Sequence, residues 1–129
     1  MNALDTNLVV RILVDDHPGQ ARRARAAAEA GGFVSKAVIL ETVWVLESVY
    51  GLKRDLVMRA LLDFAALPGI EIEDGAGLAQ AIRLVQTGFE FEDAYHFAGA
   101  RHADALLTFD RRFVRRAARA GLRPEVKVP

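Results

Sequence analysis

Four acids, Asp5, Glu41, Asp93 and Asp110, occupy positions from which an all-oxygen metal site could be built. Asp5 and Asp110 each follow an apolar run directly, in Ala3-Leu4-Asp5-Thr6-Asn7 and Leu106-Leu107-Thr108-Phe109-Asp110. Ligands of open parallel sheets bind beyond the carboxyl ends of the strands, where helices begin, and both acids fall there. Either would serve equally as a helix N-cap, a role that contributes ~1 kcal/mol. Glu41 lies in Val38-Ile39-Leu40-Glu41-Thr42-Val43-Trp44-Val45-Leu46, apolar on most sides, with no Lys or Arg one turn away. A carboxylate buried there needs a cation or a metal; the alternative is a helix face that reaches water at this point. Asp93 opens a helix after Phe89-Glu90-Phe91-Glu92. The helix dipole favours negative charge there, so it or Glu92 could stabilise the helix start without doing chemistry.

Four carboxylates gathered without cations would repel one another and raise their pKa values. A divalent cation relieves that repulsion. With no cysteine and three histidines, the donor set favours Mg²⁺ or Mn²⁺ over zinc, and such ions keep waters able to attack a phosphodiester. The chemistry implied is hydrolytic phosphoryl transfer. Asp104 precedes its strand and belongs at the opposite end of the sheet. Asp15, Asp16, Glu71, Glu73 and Asp74 read as solvated surface.

The elements that must position these acids alternate. Ala3-Leu4 reads as a short strand, and Leu8, Val9, Ile12 and Leu13 recur at helical spacing. Pro18 to Ala30 forms a helix stopped at Gly31-Gly32, and Phe33-Val34-Ser35 is the second strand. Two helices, Ala37 to Tyr50 and Arg54 to Leu67, precede the strand Ile70-Glu71-Ile72. Helices then run from Leu78 to Gln86 and from Asp93 to His102. A buried strand follows from Ala105 to Phe109, then a helix from Arg111 to Ala120 and an edge strand from Glu125 to Val128. This alternation predicts an α/β domain with a largely parallel sheet, since parallel strands need crossover helices.

The 129 residues, 52% hydrophobic and 26% charged, suit one compact domain spanning 1–129. The N-terminus lacks the pattern of a signal peptide, and no apolar run reaches the ~18 residues of a membrane helix, so a soluble, cytoplasmic protein is expected. Net charge is zero, but unevenly placed: eight Lys/Arg against three Asp/Glu from Arg101 to Pro129, and two against eight from Asp55 to Ala100. The basic end carries Arg111, Arg112, Arg115, Arg116 and Arg119 on one helix. These could guide a phosphate backbone, with Arg111 and Arg112 nearest the acids, or form a solvated face. His96, one turn after Asp93, touches substrate or metal or is structural. Trp44, Leu46, Tyr50, Leu61, Leu62 and Phe64 read as core.

Taken together, Leu4-Asp5-Thr6-Asn7, the helical Glu41, Glu92-Asp93-Ala94 and Ala103-Asp104-Ala105-Leu106-Leu107-Thr108-Phe109-Asp110 closely resemble the PIN-domain family, and within it the VapC-type toxins of toxin–antitoxin pairs. The resemblance spans almost the whole chain. It implies a three-layer α/β/α domain with a central, mostly parallel sheet of four or five strands. It also implies that Asp5, Glu41, Asp93 and Asp110 surround one or two Mg²⁺ or Mn²⁺ ions, with Asp5 and Asp93 the foremost direct ligands and Asp110 at the family's more variable position. Asn7 and Thr108 match polar positions that orient carboxylates or water. The activity implied is endoribonuclease cleavage by a metal-activated water, leaving a 5′-phosphate and a 3′-hydroxyl. A homodimer formed partly through the two central helices and a cognate antitoxin are the implied partners.

Two other classes fit the same length. A response-regulator receiver would need paired acids after its first strand, an acceptor Asp after the third and a Lys after the fifth. Here Asp5 stands alone, Glu73-Asp74 follows the third strand and no Lys occupies the late position. A non-catalytic module that binds RNA or protein, its acids serving as caps, is the other.

Overall fold

The computed structural model describes residues 1–129. The chain divides into two compact units, Met1–Gly75 and Ala76–Pro129.

In the first unit, β1 (Asn2–Ala3), β2 (Gly32–Val34) and β3 (Ile70–Ile72) form a parallel sheet in the order β1-β2-β3. Asn2 pairs with Gly32 and Ala3 with Phe33; Gly32 then pairs with Ile70, Phe33 with Glu71 and Val34 with Ile72. Gly32 packs closely on Leu4: a Cβ there would lie 2.5 Å from Leu4 Cδ1, so the Leu4 side chain would have to shift. The crossover from β1 to β2 carries α1 (Thr6–Leu13) and α2 (Pro18–Glu29). Pro18 opens α2, where its missing N–H costs nothing. The crossover from β2 to β3 carries α3 (Lys36–Ser48) and α4 (Arg54–Ala65).

Although α3 is apolar nearly all round in sequence, only Ile39, Thr42, Val43 and Leu46 are buried, the i, i+3, i+4, i+7 stripe of a helix packed on one side. Its start is capped twice. Ser35 Oγ accepts from Val38 N at 3.3 Å, and Glu73 Oε1, beyond β3, accepts from Lys36 N at 2.8 Å. Glu73 therefore ties the end of β3 to the start of α3, and Lys36 Nζ meets Asp74 Oδ2 at 3.2 Å. The acids after the third strand, where a receiver would hold its phosphate acceptor, are thus engaged in the fold.

The second unit contains α5 (Gly75–Gln86, beginning at the boundary), α6 (Phe91–Gly99), β4 (Ala105–Leu107), α7 (Arg111–Ala120) and β5 (Glu125–Lys127). β4 and β5 pair in parallel, Leu106 opposite Val126. Gly121 ends α7 in the left-handed region at φ +66°, a conformation a Cβ resists.

The mixed α/β class with parallel strands holds. Five strands form and every pairing is parallel, but hydrogen bonds divide them into a sheet of three and a pair, one in each unit. The expected buried strand through Phe109 is shorter and less buried: β4 stops at Leu107, which is 56% exposed, and Phe109 is 82% exposed. In the helical pair, Leu46, Leu61 and Phe64 are core, whereas Trp44 is 60% and Leu62 41% exposed. Both lie off the inward stripes of their helices. No helix is long and apolar enough to cross a membrane.

Candidate active site

In the first unit, β1 and β2 run parallel, so the helices that follow them start at the same sheet end. Asp5 begins α1, its Oδ1 accepting from Thr6 N at 2.8 Å. Glu41 lies in the second turn of α3. The two carboxylates line one cleft of about 300 Å³, together with Thr6, Asn7, Arg11 and Tyr50. Glu41 is exposed, so burial does not single it out; its place beside Asp5 in this cleft does. Thr6 stands in the Leu4-Asp5-Thr6-Asn7 segment with no role of its own in the sequence reading. It is 94% buried, since 6% is exposed, and its Oγ1 has no hydrogen-bond partner. A buried hydroxyl without a partner is costly unless something polar meets it, and this one borders the acid cleft. Its only sequence signal was adjacency to Asp5.

In the second unit, Asp110 caps α7: Oδ1 accepts from Phe113 N at 3.1 Å, and its own N–H donates to Thr108 Oγ1 at 3.0 Å. Thr108 thus fixes the backbone at the acid, while its own N–H donates to Lys127 O at 3.0 Å. Asp93 lies in the first turn of α6. The two helix starts are held together by Phe89, just before α6, whose ring meets Phe113 of α7 edge to face at 6.3 Å between centroids. As a result Asp93 and Asp110 line one narrow cleft with Glu90, Arg112 and Arg116.

Burial pushes the Asp93 carboxyl above the ordinary carboxylate range, and the charges of Asp110, Glu90 and Glu92 push it further; His96 pulls it back. His96 is exposed, one turn after Asp93 on the same helix. Of the two arginines expected near the acids, Arg112 lines this cleft and Arg111 is exposed outside its lining. Arg116 is one of the five arginines of the basic helix, one turn after Arg112. It also reaches the cleft, its guanidinium 6.0 Å from the centre of the Phe89 ring.

No three His, Asp or Glu side chains form a ready cage for a metal; Asp5 and Glu41 share one cleft, and Asp93 and Asp110 share another with Glu90. That donor set suits Mg²⁺ or Mn²⁺. Such a hard ion accepts one or two carboxylates, keeps several waters and completes its shell with substrate phosphate. The like charges crowding Asp93 are what such an ion would neutralise.

Among solved structures the chain is similar to VapC20 of Mycobacterium tuberculosis, a toxin that cleaves the sarcin-ricin loop. Identity is 20% over 95% of this chain and 96% of that one, with a TM-score of 0.44. No curated protein matches the chain. The family model of the PIN domain matches residues 3–119, a span that begins before Asp5, ends after Asp110 and runs through both units, and the chain therefore belongs to the PIN-domain family.

Proposed function

We propose that this chain is a Mg²⁺- or Mn²⁺-dependent endoribonuclease working as one nuclease domain over residues 1–129, and the toxin of a toxin–antitoxin pair. The observation that carries the reading is the crowding of Asp93. Its carboxyl sits among Asp110, Glu90 and Glu92 and is held above its ordinary range, a cost with a purpose if a cation binds there. Family membership supports the same chemistry.

In this reading Asp5, Glu41, Asp93 and Asp110 are the metal-holding and catalytic acids. When bound, the cation lowers the pKa of its water and stabilises charge on the phosphoryl oxygens. The chain's own residues keep the acids aimed: Thr108 holds the backbone of Asp110, and Asn7 lines the cleft beside Asp5. Arg112, aided by Arg111, draws in the RNA backbone, and the exposed Phe109 ring beside them offers a stacking face for an unpaired base. Exposed Trp44 and Leu62 on α3 and α4 suit burial in a homodimer, and a cognate antitoxin would neutralise the site; such a toxin acts in the cytoplasm.

The test is hydrolysis of structured and single-stranded RNA with Mg²⁺ or Mn²⁺ by the purified chain beside an Asp93→Asn variant. Wild type should cut and the variant should not. Equal cleavage by both would assign the activity to a contaminant.

A further inference from the structure

The cleft that holds Asp5 and Glu41 does not end with them. Asn7 and Arg11 line it, and the same two residues line a second cleft of about 350 Å³ between α1 and α2. This neighbour is also lined by Gln20, Arg23, Leu8 and Ala27. The two clefts therefore share a wall, Asn7 and Arg11 of α1, and the second is of different character, with two guanidinium groups, two side-chain amides and a small apolar floor.

Arg11 is held in place rather than free. Its Nε donates to Gln20 Oε1 at 2.7 Å, and its Nη1 donates to Asp16 Oδ1 at 3.2 Å and to Tyr50 Oη at 3.1 Å. Tyr50 Oη in turn donates to Asp16 Oδ2 at 2.9 Å. These bonds use Nε and Nη1 and leave Nη2 for an anion. Arg23, one turn beyond Gln20 on α2, is exposed and lies in none of the chain's ion pairs. A fixed guanidinium beside a free one makes a phosphate site with little ordering cost.

We propose that this groove is a nucleotide subsite for the RNA strand. Arg11 and Arg23 take a phosphate next to the scissile one, Leu8 and Ala27 support its ribose or base, and the amides of Asn7 and Gln20 meet its polar edge. The inference rests on the ribonuclease reading of the acids. An acidic site repels a polyanion, so affinity for RNA must come from cations flanking the acids, and this groove supplies Arg11 and Arg23 next to the cleft that holds Asp5. An acidic protein segment would use the arginines but has no need of a wall shared with the acid cleft.

Arg11 ties together three other side chains, so Arg23 is the cleaner test. With Arg23→Gln, binding of a single-stranded RNA oligonucleotide, followed by fluorescence anisotropy without divalent metal, should weaken. The slope of log affinity against log salt should shrink by about 0.7, the value for one phosphate contact on a single strand. In hydrolysis KM should rise with kcat kept, and Mn²⁺ affinity should be unchanged. Ala27→Leu, which fills the floor without altering charge, should weaken binding at an unchanged salt slope. Arg22→Gln, one residue away and outside the groove, should leave KM as in wild type. Hydrolysis by wild type with binding, slope and KM unaltered in both Arg23→Gln and Ala27→Leu would overturn the subsite, as would loss of an acidic peptide but not of RNA in Arg23→Gln. A chain that binds RNA through Arg23 yet cuts none would uphold the subsite and overturn the nuclease reading.

Discussion

Asp110 carries two roles that one pair of substitutions separates. Its Oδ1 accepts from Phe113 N at 3.1 Å and so satisfies an otherwise orphaned amide of α7, the ten-residue helix whose Phe113 ring packs on Phe89. Removing a side-chain cap costs ~1 kcal/mol. Removing a negative charge from a helix start adds roughly 0.3–1 kcal/mol. Asp110→Ala loses both, about 1.3–2 kcal/mol together before relief of the repulsion on Asp93, which for a chain of this size lowers Tm by roughly 4–8 °C. Asp110→Asn keeps the accepting oxygen, because Asn caps as well as Asp, and loses only the charge; relief of the repulsion on Asp93 offsets part of that. Its Tm should lie within about 2 °C of wild type. If Asp110 also serves the metal, both variants should lose on the order of 100-fold or more in RNA hydrolysis, since even outer groups of metal sites are worth 10–100-fold. Thermal unfolding followed by circular dichroism, beside a cleavage assay of the same samples, reads both quantities. Wild-type hydrolysis by Asp110→Asn would reduce Asp110 to a cap. An Asp110→Ala protein as stable as wild type would refute the capping role.

Further outcomes follow from individual contacts. Because burial and neighbouring carboxylates raise Asp93 above 3.8 in the fold, its contribution is fully present below that pH and lost as pH rises through the native value. In metal-free buffer the Tm of Asp93→Asn should therefore gain on that of wild type as pH rises to neutrality, and Mg²⁺ should raise the Tm of wild type but not of the variant; parallel Tm curves would contradict this. Gly32→Ala places a Cβ against Leu4 Cδ1 and should cost roughly 1–3 kcal/mol in urea unfolding, and clearly less when introduced into a Leu4→Ala background, whose own loss of a buried side chain is measured separately. Thr42 is fully buried and its Oγ1 has no partner, so Thr42→Val should leave stability unchanged or raise it by about 1 kcal/mol in the same experiment; a clear loss would reveal a partner for the hydroxyl.

Much of this was legible in the residues because local chemistry decides it. Apolar runs ending in Asp5 and Asp110 marked the strand-to-helix corners, and the caps at Asp5, Ser35 and Asp110 are the local hydrogen bonds those sequences favour. What escaped depends on partners far away in sequence. Glu73 reads as a solvated acid until its hydrogen bond to Lys36 N, 37 residues away, is seen. Asp16 likewise reads as surface until Tyr50, 34 residues on, reaches it. In α3 an apolar composition on every side hides which face is packed, so Trp44 reads as core and Glu41 as either buried or on a face that reaches water; both are exposed. Leu106-Leu107-Thr108-Phe109 has strand composition throughout, but pairing with Glu125–Lys127 extends only to Leu107, and Phe109 turns into solvent beside the acid that starts α7.

Calorimetric titration of the metal-free chain with Mn²⁺ would probe the chemistry most directly, run beside Asp5→Asn and Asp93→Asn. Wild type should bind, and each variant should stay folded while losing at least about tenfold in affinity. Mn²⁺ bound by both variants as tightly as by wild type would contradict the assignment of these carboxylates to a metal.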